Sequence, residues 1–584
     1  MTMLVMSVKG ETRGPKTVSG QMQQNARLFM DDITTTTNTK VQSSHLLREL
    51  AGKLEWGRLK VKPGKCRSLV IQKGAVSKST IDINGEPITS ITEKPIKYLG
   101  KTYNLTMGEK EQIEDAVQQV TEGLKKIEKS KVSGRYKCWM VQFMLLPRIM
   151  WPLTIYNVPM TKIEEVQRKI TVSLKRWLKL PNSLSADVLY SRTTKAQLPY
   201  TSLAEEVKAT KARQQETLTN SSDECVRNAK INIDGGRKWK AAAAVEEAKS
   251  RLRLQDIAGI ANIGREGLGV THRQYYGRST DKEKRSLIVA KIREKEEEER
   301  HVRISTLTKQ GASMKWEVPA KKISHKEIIS TTDTRLRFLM KSVYDLLPTP
   351  ANKNQWFSTE EFNCTLCGGK GTLNHILSGC RVALQQGRYR WRHDKVLKEL
   401  AYWIDERRKA ANKKRKQKRK WINFVKAGVK GKAATSDPDS YLNTAADWEL
   451  RVDLGRQLKV PTYIATTDLR PDMLLMSDRT KQIAIIELTV PAEDRIGVSA
   501  ELKKAKYAVL EDLCRRSKWK PRVWTVEVGC RGFAAGSVAA LLRDLGYAGR
   551  QKKHIITRIE TEAESASHNI WKWSHFKQWG EQKD

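Results

Sequence analysis

Acidic residues are scarce in this sequence. Of its 584 residues, 65 are Asp or Glu against 108 Lys or Arg, a net charge of +43. The excess runs along the whole length and is not confined to one tail. Such a surface attracts polyanions, and counterion release from phosphates would supply much of the affinity. Charge alone also suits a basic ribosomal or chromatin protein without catalysis. Cysteine is sparse too: eight in all, five of them scattered (Cys66, Cys138, Cys225, Cys514 and Cys530). That number excludes a disulfide framework and suits a reducing compartment. No apolar run approaches the length of a membrane span, the N-terminus has no signal-peptide pattern, and no internal repeat is found. A secreted disulfide scaffold and a membrane protein are both disfavoured; the expectation is a soluble intracellular protein. What the sequence does have is 16 Trp, which points to large packed cores and away from a disordered basic tail.

The length allows three or four domains. The first stretch is 1–108, broken by Gly and Pro up to residue 28 and mixed α/β from Phe29 on, with helical apolar spacing over 43–59 and strands at 68–72 and 81–83. Residues 109–215 read as helical, with amphipathic stretches at 111–129 and 160–178 punctuated by Pro147, Pro152, Pro159 and Pro181. The segment 216–333 is polar and weakly patterned, and 278–303 suits a solvated helix with charges of both signs. Residues 334–406 resume a compact pattern. In 407–440, ten of the fourteen residues 407–420 are Lys or Arg, followed by a Gly/Ala/Ser/Asp stretch. A solvated linker, a nuclear-import signal and a nucleic-acid patch all fit that run. A final α/β domain spans 441–550: helix 445–458, strands 472–476 and 483–490, helix 499–516, strand 522–528 and helix 537–545. Residues 551–584 read as a C-terminal tail.

Phe29-Met30-Asp31-Asp32 reads as a tight hairpin. Adjacent carboxylates on such a turn can hold a divalent metal beside a triphosphate, although an Asp-Asp pair by itself also suits a surface turn. Downstream come Lys60 and Lys62, then Pro63-Gly64-Lys65-Cys66 leading into an apolar strand, then Tyr98-Leu99-Gly100. In this order the motifs resemble the reverse transcriptases of non-LTR retrotransposons: third palm motif, fourth palm motif and primer grip. Arg176-Trp177-Leu178-Lys179-Leu180-Pro181 and Leu198-Pro199-Tyr200-Thr201-Ser202-Leu203 resemble the thumb and connection that follow. The resemblance implies Asp31 and Asp32 as polymerase metal-binding residues. It also implies a further palm aspartate and fingers many tens of residues upstream, so the expectation for this chain is a polymerase half that is incomplete and inactive.

Cys364-x2-Cys367-x7-His375-x4-Cys380 offers three thiolates and one imidazole, the closed tetrahedral shell of a structural Zn²⁺ site with no open position for catalysis. The spacing is similar to the CCHC knuckle that non-LTR elements carry between polymerase and endonuclease. The segment that follows, Gly387 to Asp394, resembles those elements as well. Its Arg388, Arg390 and Arg392 interleaved with Trp391 can contact phosphates and stack on bases; a basic helix start packed on the knuckle is the equal alternative.

In the last domain Arg470-Pro471-Asp472 opens a hydrophobic strand, and Glu487 lies on the next. Two hairpinned strands can bring these carboxylates to one end of a sheet, where they can bind Mg²⁺. A nearby lysine would orient water or neutralise developing charge. In the PD-(D/E)xK pattern that lysine stands two residues after the second acid, where this chain has Thr489. Lys504 and Tyr507, i and i+3 on the following helix, can face the site instead, with Lys503 and Lys506 as phosphate contacts or solvated charges. The run from Trp448 through Tyr507 resembles the restriction-like endonucleases of non-LTR elements.

The expected fold is therefore multidomain α/β and α: a partial reverse-transcriptase palm with a helical thumb, a CCHC zinc knuckle and a PD-(D/E)xK-like α/β endonuclease domain. The expected activity is Mg²⁺-dependent nicking of double-stranded target DNA, catalysed by Asp472, Glu487, Lys504 and Tyr507. The resemblance adds element RNA as a partner, target-primed reverse transcription as the pathway and the nucleus as the location. Neither a membrane nor a small-molecule cofactor is expected. The alternative is a nucleic-acid-binding relic or domesticated protein without chemistry.

Overall fold

A computed structural model describes residues 22–580 except 106–107, 230, 232, 234, 264–275, 359–361, 415–439 and 456, together with 2–8, 10, 14–16 and 20. The basic run beyond residue 414 and the small-residue stretch after it thus lie outside the described residues. The chain is mixed α/β and divides into two compact units, 1–177 with 200–299, and 178–199 with 300–584.

In the first unit, short hairpins precede a stack of helices. β1 (Ala26–Phe29) and β2 (Asp32–Thr35) pair with Phe29 opposite Asp32. Met30 takes φ 54°, the left-handed conformation that a two-residue hairpin turn demands. α1 (Lys40–Trp56) begins at Thr39, whose side chain accepts the Gln42 N–H, and it buries Leu46, Leu50 and Leu54 with Val8. Three further antiparallel hairpins lie between residues 70 and 103. Among the described residues these remain separate two-stranded ladders and do not merge into one sheet. The last turns at Leu99-Gly100, both at positive φ, and a Cβ on Gly100 would lie 2.3 Å from the Trp151 indole nitrogen. Backbone and space both require glycine there.

α2 (Lys110–Lys129) buries Ala116, Val120, Leu124 and Ile127, a helical 4-4-3 spacing. α3 (Gly134–Ile155) corrects one sequence expectation. It is 22 residues long with mean hydropathy 1.2, enough by length and composition to cross a membrane. Its Cys138, Val141, Leu145, Ile149 and Leu153 are buried, and it packs on α2 and on α4 (Met160–Trp177). Pro147 and Pro152 fall inside this run and hide it from a reading that treats proline as punctuation. A second correction concerns the polar segment after residue 216. α5 (Leu203–Thr219), α6 (Ala241–Ile263) and α7 (Asp281–Ser305) share a core of Ala212, Val245, Ala248, Leu252, Ile288 and Ile292. Ion pairs flank it, Lys208–Glu296 at 2.6 Å and Lys249–Glu216 at 2.9 Å. A stripe this narrow is masked by the long charged side chains around it.

The second unit is built on a four-stranded sheet in the order β3 (Glu449–Val452), β4 (Met473–Ser477), β5 (Gln482–Thr489), β6 (Lys520–Glu527). The first three strands are antiparallel. β6 runs parallel to β5 and is reached through the crossover helix α9 (Ile496–Arg516), which a parallel connection requires. Alternation along the strands divides the core. Met473, Leu475, Ala484, Ile486 and Leu488 pack with α8 (Arg388–Lys414), α10 (Gly536–Asp544) and α11 (Gly549–Lys572). Leu474, Met476, Ile483 and Ile485 pack with Tyr507, Leu510 and Cys514 of α9.

Two expectations for this unit are overturned. Residues 445–458 are not a helix: a short turn (Tyr441–Thr444) leads into β3, because Trp448, Leu450 and Val452 face one core with period two. Nor is the chain beyond residue 550 a loose tail, since Ile555, Ile559 and Ala563 of α11 complete the same core.

Candidate functional site

The β4–β5 pairing sets Met473 opposite Ile486, so Asp472 and Glu487 meet at one end of the sheet. Asp472 N–H donates to Glu487 Oε2 at 3.3 Å, and Leu488 N–H donates to Asp472 Oδ2 at 2.7 Å. Glu487 is 3% exposed and ion-pairs with Lys503 of α9. Burial, then the Asp472 charge, push its carboxyl pKa up, and the Lys503 ammonium opposes them. Tyr507 is fully buried and donates its hydroxyl to the Arg470 carbonyl at 2.7 Å. Burial and the Glu487 carboxylate hold that phenol well above its ordinary range, so it stays protonated and fixes the segment leading into Asp472. The Asp472 charge acts on Glu487 across this end of the sheet, and a hard divalent cation would relieve that repulsion. The all-oxygen donor set suits Mg²⁺.

The lysine that the structure brings to Glu487 is the neighbour of the expected Lys504. Lys504 is exposed, and Lys503 makes the contact with Glu487. Lys503, Tyr507, Leu510 and Cys514 follow a 4-3-4 spacing, and the last three are buried. Lys503 therefore shares the sheet-facing side, while Lys504 lies roughly 100° around the helix. Lys506 is exposed, its ammonium 4.9 Å over the Tyr507 ring at the edge of the site.

The segment after the knuckle divides in an unexpected way. Arg388 is buried and donates to the carbonyls of Trp573 and Phe576, both at 2.7 Å. Arg392 is 2% exposed and donates to the carbonyls of Leu377 (2.7 Å) and Val490 (2.9 Å). Neither guanidinium is available to a phosphate, so the nucleic-acid role expected of both is replaced by a packing role. Trp391 is half-buried edge-on to Trp579, with ring centroids 5.5 Å apart. Only Arg390 of this set stays open, its side chain 69% exposed and 3.7 Å from Asp453.

Sequence reasoning missed His393. Its Nε2 lies 3.2 Å from the Leu488 carbonyl and 3.3 Å from Asp472 Oδ2, and its Nδ1 lies 3.0 Å from Asp394 Oδ1. Burial lowers the imidazole pKa, but hydrogen bonds to Asp394 and Asp472 and their charges outweigh it and raise the value to about 9. Both ring nitrogens face acceptors, which only the imidazolium satisfies. The His393-Asp394 dipeptide was visible in the sequence, but nothing there tied it to Asp472.

The cysteine–histidine motif closes up as its spacing predicts. The ligand atoms of Cys364, Cys367, His375 and Cys380 all lie within 4.8 Å of one another. Cys364 and Cys380 sulfurs are 4.0 Å apart, and Cys367 Sγ is 3.1 Å from His375 Nε2. Tetrahedral zinc with bonds near 2.3 Å spaces its sulfur ligands roughly 3.8 Å apart, so the four form a Cys3His cluster that can bind zinc. Gly368, at φ 70°, turns the chain between the second and third ligands. At the other end of the chain, Asp31 and Asp32 are both exposed on the β1–β2 hairpin.

No family model matches the chain, and no curated protein matches it.

Proposed function

We propose that the second unit is a Mg²⁺-dependent DNA endonuclease, with Asp472 and Glu487 as metal-binding carboxylates. The observation that carries this reading is that the Asp472 backbone N–H donates to Glu487, setting both acids at one sheet end beside Lys503, inside a strongly basic chain. Mg²⁺ held by the two acids would polarise the scissile phosphate and acidify a bound water. Hydrolysis joins the water oxygen to phosphorus and breaks one P–O ester bond, the departing oxygen leaving as a hydroxyl. Lys503 neutralises Glu487 before the cation enters and can then turn to the charge developing on the phosphate. Tyr507 holds the Arg470–Asp472 segment in register, and exposed Arg390, Arg470 and Lys506 offer phosphate contacts around the acids.

On this reading the chain is similar in plan to non-LTR retrotransposon proteins with a restriction-like endonuclease. Double-stranded target DNA is the substrate, element RNA is a partner, and the nick primes reverse transcription in the nucleus. The Cys3His cluster is a structural zinc site beside the nuclease. The test is nicking of supercoiled plasmid by the full chain with and without Mg²⁺, beside Asp472→Ala. Parental nicking that needs Mg²⁺ and is abolished by Asp472→Ala, at nearly unchanged DNA affinity, is the expected result. A variant that still nicks at the parental rate would falsify the site.

A further inference from the structure

We infer that His393 is the positioning residue for Asp472, carried to the nuclease site by the helix that leaves the zinc cluster. The inference rests on the nuclease reading of Asp472 and deepens it.

The first turns of α8 contact both ends of this link. Tyr389 accepts the Cys380 N–H at its hydroxyl (3.0 Å) and donates that hydroxyl to the Ile376 carbonyl (2.9 Å). It therefore grips the chain between the last two cluster residues. Arg392, three residues on, bridges the Leu377 carbonyl in that same stretch to the Val490 carbonyl, one residue past β5. His393, four residues after Tyr389, reaches Leu488 and Asp472. Positions i, i+3 and i+4 share one helix face, so a single rigid surface joins the cluster to the strand carrying Glu487.

The contact is specific in its atoms. Asp472 Oδ2 accepts the Leu488 N–H at 2.7 Å and lies 3.3 Å from His393 Nε2, whose one N–H is shared with the Leu488 carbonyl at 3.2 Å. The Leu488 N–H and the imidazolium charge on the same oxygen bias the rotation of the carboxylate and leave Oδ1 to serve as ligand. A side chain that orients a metal-binding carboxylate in this way governs how readily the metal is held, more than the rate once it is in place. Two details separate this from ordinary packing. The imidazole ends on polar acceptors at both nitrogens, and the neighbouring Leu488 N–H already satisfies Asp472 in part. The histidine is thus spent on orientation and not on filling space.

The measurement is plasmid nicking by the full chain across a Mg²⁺ titration, for the parent, His393→Ala, His393→Gln and Asp472→Ala, with melting temperatures taken without Mg²⁺. His393→Ala is expected to raise the half-saturating Mg²⁺ concentration about tenfold or more, with the saturated rate little changed. His393→Gln, whose amide N–H can reach Oδ2, is expected to recover most of the difference. If His393→Ala does not fold, His393→Phe, which keeps a ring but no donor, is expected to show the same rise. A folded donor-less variant with the parental Mg²⁺ requirement, beside an inactive Asp472→Ala, overturns the positioning role and leaves the nuclease standing. Nicking by Asp472→Ala, or none by the parent, overturns the nuclease reading and this inference with it.

Discussion

Neighbouring residues of the same type have been given opposite work in this protein. Lys503 and Lys504 are adjacent in sequence, yet one ion-pairs with buried Glu487 and the other is exposed. On the proposed nuclease reading, Lys503→Ala should lower the nicking rate about a hundredfold, in the range for losing one charge-stabilising group, while Lys504→Ala should stay near the parent; initial rates at saturating Mg²⁺ decide it. The arginines of α8 divide in the same manner. Arg392→Ala strips donors from buried carbonyls at about 1–3 kcal/mol for each pair broken, and the loss should be read in urea denaturation. Arg390→Ala should leave the urea midpoint unchanged, weaken DNA binding, and reduce the slope of log affinity against log salt by about one.

At the scale of elements, the Cys3His cluster and α8 form a continuous structural support. Tyr389 accepts the Cys380 N–H, Arg392 holds the Leu377 carbonyl from the same helix, and α8 lies against α11 across the second unit's core. A Cys3His site with its ligands already within 4.8 Å should take up one zinc per chain, measurable by elemental analysis. Cys367→Ser should abolish that stoichiometry and lower the melting temperature by roughly 10 °C or more, as expected when a bound structural metal is lost. A parental melting temperature in a zinc-free variant would show that the cluster is incidental to the fold. The α9 crossover has a related part: its sheet-facing positions both close the core below and deliver Lys503 and Tyr507 above.

For the molecule as a whole, buried titratable groups shape the response to acid. His568 of α11 stacks on Phe338 with ring centroids 4.8 Å apart. Burial above all, and the nearby Lys572 charge, hold its pKa down to about 4. Unfolded, the same imidazole titrates near its ordinary value of 6.5, so between the two values the unfolded chain takes a proton that the folded chain refuses. Stability from this group is therefore present above pH 6.5 and is lost as pH falls from there toward 4. The drop in melting temperature between pH 7 and pH 5 should be smaller for His568→Gln than for the parent, and an equal drop would remove His568 from the account.

Much of this arrangement was legible in the linear chain. The Cys/His spacing, the Phe-Met-Asp-Asp hairpin, the strands on which Glu487 and the residues after Asp472 lie, and the helix bearing Tyr507 all depend on short-range geometry, where a turn type or a period of side chains decides the outcome. Three-dimensional packing decided the rest. The period-two face of β3 was indistinguishable from a helix until Trp448 had a core to enter, and the stripe of α7 was hidden until α5 and α6 lay against it. Which lysine reaches Glu487 depends on the phase at which α9 docks, and no local rule fixes that phase. His393 depends on a contact across 79 residues of chain, between a helix and a strand whose sequences carry no sign of each other. Local chemistry determined which groups are present; the long-range burial of apolar faces determined which of them meet.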